Sequence, residues 1–402
     1  MQPNFDKIKY LYPQNPDFEA VAQLAPLTPF NDQICALLAH VSQILLNDFE
    51  AKNYPDVITF AFWCRKANLE AMKQRSDYAF RLGRGVIFHI TPSNVPVNFA
   101  YSMVAGLLAG NINIVRVPSK YFPQINIITN SFEKALEKQE FRRFAPYLIL
   151  LRYERDAEIN AFLTSFCDIR IIWGGDRAIN EIRCAPLLPR AFDITFADRY
   201  SICAINAEEY LKAKDPARIA QDFYNDTYLF DQNACTAPHL VVWVGVGKNI
   251  VEAQGQFWCE LHKVVSRQYS LQPVQAVDKL TAFYKAAVDL NVQLVKMPDN
   301  LIIRVDLKQL TEGIENYRCP CGYFVEYAAQ NLNEFAAIVN RKYQTLSYYG
   351  FDIQILRTLI INLGLIGIDR ITPIGKTMDF SLNWDGYDLI NVLSRKIDIL
   401  KY

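Results

Sequence analysis

From Gly83 onward the chain repeats one pattern: a short β-branched or aromatic run, a polar break, then a stretch with apolar residues at three- and four-residue intervals. "GVIFHITP" leads into "VPVNFAYSMVAGLLAG", and "NINIVRVPS" into "FPQINIITNSFEKALEKQEF". "YLILLRY" leads into "RDAEINAFLTSF", and "DIRIIWGG" into "DRAINEIR". Strand and helix alternating at this tempo predict an α/β protein built on a doubly wound parallel sheet. Gly110 closes the first of these helices as a C′ residue. "RAFDITFADRYSICAI" supplies one or two further strands.

The residues before this pattern read as helical. "NDQICALLAHVSQILLN" has helical period and opens on Asn31 and Asp32 as capping candidates, and "PDVITFAFWCRKANLEAMKQR" continues in the same style. Near Asn206 the tempo restarts with a helix over 207–224, then "DQNACTAPH", then the buried-strand run "HLVVWVGVG". A second α/β domain with its own core is the simplest account, and 402 residues leave room for it. The predicted organisation is a helical segment 1–79 packed on a first parallel-sheet domain 80–205, a second domain 206–375 and a tail 376–402.

Composition removes several function classes. Lys+Arg and Asp+Glu both total 42, so the net charge is zero and no basic field is available for nucleic acid. The N-terminal stretch lacks the apolar region of a signal peptide, and "TLIINLGLIGI" is too short to span a bilayer, so a cytoplasmic protein without membrane insertion is expected. Nine cysteines without regular spacing make a disulfide framework improbable. Cys319 and Cys321 form a single C-P-C with no second pair, which reads as two half-buried thiols near a turn, and no metal site is expected.

Parallel sheets bind ligands beyond the carboxyl ends of their strands, where the polar breaks "TPSN", "VPSK" and "WGGD" fall. Asn94, in "ITPSNVPV", is either a helix cap or an amide donor for an oxyanion. Arg116, Pro118, Ser119 and Lys120 form either a solvated turn or a cradle for a phosphorylated ribose. Gly174 and Gly175 are either a plain turn or a bare helix start that admits a pyrophosphate. Cys235 stands just before the apolar run, at the lip of a strand. A thiolate there is a nucleophile for carbonyl or thioester carbons, and the alternative is a small buried hydrophobe. Cys167 and Cys203 lie inside the strand–helix pattern and read as packing residues. His239, four residues from Cys235, reads as a plain surface or core histidine.

Together and in this order, these pieces resemble the aldehyde dehydrogenase superfamily. Asn94-Val95-Pro96 resembles its Asn-x-Pro oxyanion motif, Arg116 to Lys120 its K-P-S-E ribose segment, Gly174-Gly175 its glycine turn, and Cys235 its nucleophile. The likeness is closer to the long-chain acyl-CoA reductases of the LuxC type, through "HITPSNVPVNFAYSMVAGLLAGNINIVRVPS" and "DQNACTAPHLV". The tail phrases "QTLSYYGF", "RITPIGKTMDF" and "WDGYDLINVL" carry it further. It covers about residues 80–402 and is weak before that.

The resemblance implies an NADP-binding Rossmann-like domain at 80–205, with Thr91, Pro92, Ser93, Arg116, Pro118, Ser119, Lys120, Gly174 and Gly175 on the cofactor side. Cys235 and Asn94 are then catalytic. The stretch "TFADRYSI" lacks the glutamate that aldehyde-oxidising members use to activate water, which favours reduction of an acyl thioester. Lys120 replaces the glutamate that binds both ribose hydroxyls, which favours NADPH. "RCPCGY" stands where a second cofactor-side glutamate is usual. The expected substrate is an acyl-CoA or acyl-protein thioester, with an acyl-protein synthetase or thioesterase subunit as partner and a homo-oligomeric state. Two readings remain beside it, an NAD(P)-dependent aldehyde oxidation and a non-catalytic scaffold subunit.

Overall fold

The computed structural model describes residues 5–75, 77–92 and 95–400. Two compact units divide the chain: residues 1–197 with 387–402, and residues 198–386.

The first unit opens on a strand, β1 (Lys9–Tyr12), so the segment 1–79 is not wholly helical. "KYLY" is too short to carry a helical period, and its aromatic side chains suit a pleated surface. The helix Asp32–Asn47 follows, and the Asn31 side chain accepts from the Gln33 and Ile34 amides, satisfying N–H groups a helix start leaves unpaired. Then come β2 (Arg81–Gly83), β3 (Val86–Ile90), β4 (Ile112–Arg116), β5 (Leu148–Arg152), β6 (Ile169–Trp173) and β7 (Phe192–Phe196). Six of these strands form one sheet in the order β1-β5-β4-β3-β6-β7. Only β1 runs antiparallel, against β5.

The chain therefore winds outward from β3 to β4 and β5, crosses back, and continues through β6 to β7. The loops after β3 and β6 part at this switch point, where such sheets open a crevice. Both strands are buried along their whole length, and their two polar side chains are satisfied inside: His89 by Ser102 and Asn113, Arg170 by Asp193. Gly110 has φ +87°, and a Cβ there would lie 2.0 Å from the Leu27 carbonyl oxygen, so the helix stop needs glycine twice over. The end of the chain returns to this unit: Ser394–Lys396 pairs antiparallel with β2.

The second unit carries β8 (Tyr200–Asn206), β9 (Pro238–Val244), β10 (Val292–Val295), β11 (Ile303–Leu307), β12 (Tyr323–Ala329), β13 (Tyr343–Tyr349) and β14 (Arg370–Pro373). They form one sheet in the order β10-β11-β12-β9-β8-β13-β14, parallel except at the edge strand β10. The division at Asp198 differs from the reading that placed it after residue 205. "RAFDITFADRYSICAI" is two strands, and the second, β8, pairs with β9 and β13 instead of closing the first sheet. Residues 376–386 stay with the second unit and only the remainder of the tail joins the first.

The helical stretch after β8 is broken in two, Ala207–Leu211 and Pro216–Thr227, because Pro216 cannot continue a helix but starts one well. β9 is buried throughout, with Leu240 and Val242 in one core layer and Val241 and Trp243 in the other. One charge sits inside the second layer. Glu326 is fully buried, and its carboxylate accepts from Arg304 Nε at 2.7 Å, Trp258 Nε1 at 2.6 Å and Trp243 Nε1 at 2.9 Å. A carboxylate so surrounded replaces the hydration it loses.

Candidate active site

Cys235 lies at the amino edge of the second sheet, three residues before β9 begins. The loop that carries it is bent at its start, where Asp231 and Gln232 adopt left-handed conformations at φ 51° and 59°. Such conformations cost energy for side-chain-bearing residues and persist only where partners hold them. Gln232 is the holder. Its amide donates to the Pro238 carbonyl at 2.9 Å and the Tyr323 carbonyl at 3.1 Å, and accepts from the Gly322 and Tyr323 amides at 3.0 and 3.2 Å. The Cys321 amide donates to the Asp231 carbonyl, and Tyr269 Oη to the Asp231 carboxylate at 2.6 Å. Lys279, itself buried, donates to the Asn300, Leu301 and Cys321 carbonyls and fixes the far side of this contact.

Around Cys235, β8 and β13 complete the frame. Ser201 Oγ donates to the Cys235 carbonyl at 2.6 Å and accepts from the Thr345 amide at 3.2 Å. The Gln344 amide donates to the Asp385 carboxylate. Arg199 pairs with Asp369 and lies 3.9 Å from Asp385, and it donates to the Tyr343 carbonyl at 2.9 Å. Thr236 Oγ1 meets the Met378 sulfur at 3.5 Å. Arg370 is turned toward the Lys376, Thr377 and Asp379 carbonyls.

Burial pushes the Cys235 thiol up to about 12, Asp385 adds to the rise, and Gln344 and Arg199 oppose it. The residue is half-buried, so its approach is narrower than its small neighbours Ala234, Thr236 and Ala237 imply. His239 is buried and stacked on Tyr200 at 5.7 Å, and burial lowers it to about 3. It is a neutral packing residue. Cys167 and Cys203 are fully buried and held near 12, as inert thiols. Cys319 and Cys321 are both buried, more deeply than the half-buried reading has them. No group of three or more metal-ligating side chains gathers among the described residues. No helix among them is long and apolar enough to cross a membrane.

The cofactor-side candidates come together at the carboxyl edge of the first sheet. Thr91 and Pro92 follow β3, Arg116 to Lys120 end and follow β4, and Gly174 and Gly175 follow β6. Ser93 and Asn94 lie outside the described residues. Thr91 Oγ1 donates to the Arg116 carbonyl at 2.8 Å, tying two strand ends together. The Arg116 guanidinium donates to the Tyr153 carbonyl and lies over the Tyr153 ring at 4.5 Å, so it is already engaged. Lys120 is exposed, with Ser119 half-buried beside it. Gly175 precedes the helix Asp176–Arg183 without a side-chain cap, and a Cβ there would meet nothing within 4 Å. Lys120 Nζ lies over the Phe122 ring at 5.2 Å. An open helix start, a hydroxyl and an exposed cation at this edge suit a dinucleotide.

Sequence reasoning missed the surroundings of Cys235. Arg199 and Ser201 sit in "TFADRYSI", read only for its missing glutamate. Gln344 opens "QTLSYYGF", Arg370 and Met378 lie in "RITPIGKTMDF", and Asp385 lies in "WDGYDLINVL". All three tail phrases converge on the cysteine.

Both sheets and the loop that carries Cys235 define a protein of the aldehyde dehydrogenase fold. An NAD-dependent benzaldehyde dehydrogenase from Corynebacterium glutamicum matches with a TM-score of 0.62 and 13% identity over 98% of this chain and 95% of its own. A salicylaldehyde dehydrogenase from Pseudomonas putida G7 matches at 0.63 and 15% identity, over 96% and 89%. Within that fold, the chain belongs to the LuxC acyl-CoA reductase family, whose model matches residues 49–396. A long-chain acyl-protein thioester reductase of Aliivibrio fischeri is 22% identical over 63% of this chain and 50% of its own length. One of Photorhabdus laumondii is 24% identical over 47% and 38%. The matched segments thus span half or less of those relatives.

Proposed function

We propose that this chain reduces an acyl thioester, carried by CoA or by a protein, to the aldehyde through an acyl-Cys235 intermediate, with NADPH as reductant. The observation that supports it most is the surroundings of Cys235. The nucleophile is framed by Arg199, Ser201, Gln344 and Asp385, with no glutamate in 195–202 and with its nearby histidine buried and neutral. The glutamate that activates water in aldehyde-oxidising members is missing from that segment, which favours an acyl-cysteine that water leaves intact.

In this reading the Cys235 sulfur attacks the acyl carbonyl carbon, the bond to the donor sulfur breaks, and the donor leaves as a thiol with the proton Cys235 gave up. The Cys235 backbone N–H and, by its Asn-x-Pro motif, Asn94 are the proposed oxyanion donors. NADPH, when bound, supplies the hydride that takes the acyl carbon to the aldehyde level. Cys235 is then expelled as the carbonyl reforms. Lys120 and Ser119 are the proposed holders of the 2′-phosphate, and the helix start at Gly175 that of the pyrophosphate. Thr91, Pro92, Ser93, Arg116, Pro118 and Gly174 complete the proposed cofactor edge, Arg116 through position more than charge. An acyl-protein synthetase or thioesterase subunit is the proposed acyl donor where the substrate is protein-bound.

The test mixes the protein with NADPH and acyl-CoAs of graded chain length and follows nicotinamide absorbance and aldehyde. Aldehyde should form with wild type. Cys235→Ala and Cys235→Ser should form none while still binding NADPH. Reduction by Cys235→Ala near the normal rate, or acid as the wild-type product from aldehyde and NADP, would overturn the reading.

A further inference from the structure

The start of β8 serves two places at once. Ser201 donates to the Cys235 carbonyl, whereas its neighbour Tyr200 turns to the other face of the sheet, in the layer of Ile202 and Ala204. On that face a cavity of about 240 Å³ is lined by Asp198, Tyr200, Glu315, Asn316, Arg318 and Lys342, all in the second unit. Its walls are the chain entering β8, the turn Ile314–Tyr317 and the residue before β13.

Two of the lining side chains bury an oxygen that the protein leaves unanswered. Tyr200 is 1% exposed, and its Oη finds no hydrogen-bond partner among the described residues. Glu315 is 8% exposed; its Oε1 accepts from Asn340 Nδ2 at 2.9 Å, while the buried Oε2 accepts from no described residue. Tyr343, whose ring meets that of Tyr200 edge to face at 5.2 Å, buries a third such hydroxyl. Buried polar atoms without partners are few in a folded protein, and three in one place call for a partner other than the chain. Arg318 is already engaged, by Asp198 at 2.5 Å and by the Arg199 carbonyl at 2.6 Å. Lys342 is half-buried and enters no ion pair among the described residues.

This lining narrows what can enter. An apolar group would leave the carboxylate and the phenol unpaired. A bare anion meets Glu315, and a bare cation meets Lys342 and Arg318. What fits is a neutral chain with N–H or O–H donors for Glu315 and carbonyl oxygens for Tyr200 and Lys342. Resting on the reading of Cys235 as the carrier of an acyl group, we propose that this cavity is the subsite for the pantetheine arm of the acyl donor. That arm, two amides and hydroxyls on a flexible chain, is common to coenzyme A and to acyl-carrier proteins. The cavity is smaller than the roughly 300–1,000 Å³ of a pocket for a whole drug-sized ligand, so it holds a segment of the arm and leaves the rest outside. The subsite and the nucleophile share their supports. Ser201 follows Tyr200, and Thr345, whose amide donates to the Ser201 hydroxyl, lies three residues past Lys342. A donor held here brings its thioester to the sheet edge at which Cys235 stands.

The experiment titrates free pantetheine, coenzyme A and a holo-acyl-carrier protein into the full chain by calorimetry, without acyl substrate or nicotinamide. Pantetheine should bind, and Tyr200→Phe should weaken it about tenfold, the loss of one hydrogen bond to a buried group. The same substitution removes a hydroxyl that no described protein group uses, so the unfolding midpoint should hold. A purely structural hydroxyl would give the reverse pattern. Glu315→Gln keeps the Asn340 contact and turns the unpartnered acceptor into a donor. It should weaken pantetheine by a similar factor, and it decides the matter by itself if Tyr200→Phe unfolds. An equal loss for coenzyme A makes the coenzyme the source of the arm, and a loss for the carrier protein in its place makes the protein the source. No binding of pantetheine to wild type at millimolar concentration, as for a cavity that holds water only, would overturn the proposal, and so would binding unchanged in both variants. No turnover is read, so failure here leaves the acyl-Cys235 reading standing, and failure of that reading leaves the titration intact.

Discussion

The carboxyl edge of the first sheet and the amino edge of the second are built on opposite principles. At the first, the candidate residues are short polar loops with few internal partners: Lys120 exposed, Ser119 half-buried, Gly175 with open space where a side chain would be. At the second, the backbone of the Cys235 loop is tied to β8 and to the Gly322–Tyr323 turn, and two left-handed residues are held chiefly by a single buried amide. A surface that binds and releases a large cofactor has to leave its donors free, whereas a nucleophile has to be held still against a carbonyl carbon. The comparison teaches that substitutions at the two edges should fail differently, the first in binding and the second in stability and reactivity.

The largest expected effect lies behind the second edge. Glu326→Ala leaves the Arg304 guanidinium and two indole N–H groups without their acceptor, and should lower unfolding free energy by roughly 3–5 kcal/mol. Denaturant unfolding reads it, and a loss below about 1 kcal/mol would mean that this buried charge is not the hub it looks. Next is acid. Burial lowers His89 to about 4 and His239 to about 3 from 6.5, so the folded protein refuses protons the unfolded chain takes up. Their contribution is complete above pH 6.5 and is lost as pH falls from 6.5 toward 4 for His89 and toward 3 for His239, at most roughly 3 and roughly 5 kcal/mol. Unfolding midpoints measured from pH 7.5 down to 5 should fall, and a flat profile would show that both rings charge inside the fold.

Gln232→Ala comes third. It strips two carbonyls and two amides of their partner where the loop is strained, and should cost about 2–3 kcal/mol together with most acyl transfer. Gln232→Glu separates the two effects, because a carboxylate keeps the acceptor but loses both donors. The smallest change in stability belongs to the first edge. Lys120→Glu should leave stability within about 0.5 kcal/mol and erase an NADPH-over-NADH preference of about 1–3 kcal/mol. Titrations showing the preference unchanged would move the 2′-phosphate contact to another residue.

What the sequence made legible tracks these two edges unevenly. The strand–helix tempo predicts β3 to β7 and their intervening helices, because short apolar-rich runs and amphipathic stretches are local signals. It also places Thr91, Arg116, Lys120 and Gly174 correctly on one edge, since residues after parallel strands share an edge whatever the loops do. β1 and the division at Asp198 were harder. "KYLY" and "RYSICAI" give the same local signal whichever sheet they join, and pairing is decided by partners far along the chain.

In the Cys235 site the candidate cysteine was legible and its environment was not. Arg199, Gln344 and Asp385 come from three distant segments, and no spacing rule links an arginine before one strand to an aspartate that far along the chain. Their one sequence trace was indirect: each lies in a phrase that carries the family likeness. Arg116 errs the other way. Its position after a strand suggests a phosphate contact, while the Tyr153 carbonyl and ring take up its guanidinium.

The central claim is that Cys235 carries the acyl group, and one measurement tests it most directly. The protein is incubated with a radiolabelled long-chain acyl-CoA and no NADPH, quenched in acid, digested and mapped by mass spectrometry. The account predicts label on the Cys235 peptide alone, released by hydroxylamine and discharged as aldehyde when NADPH is added to the unquenched enzyme. Label on another cysteine, or full labelling of the Cys235→Ala protein, would contradict it.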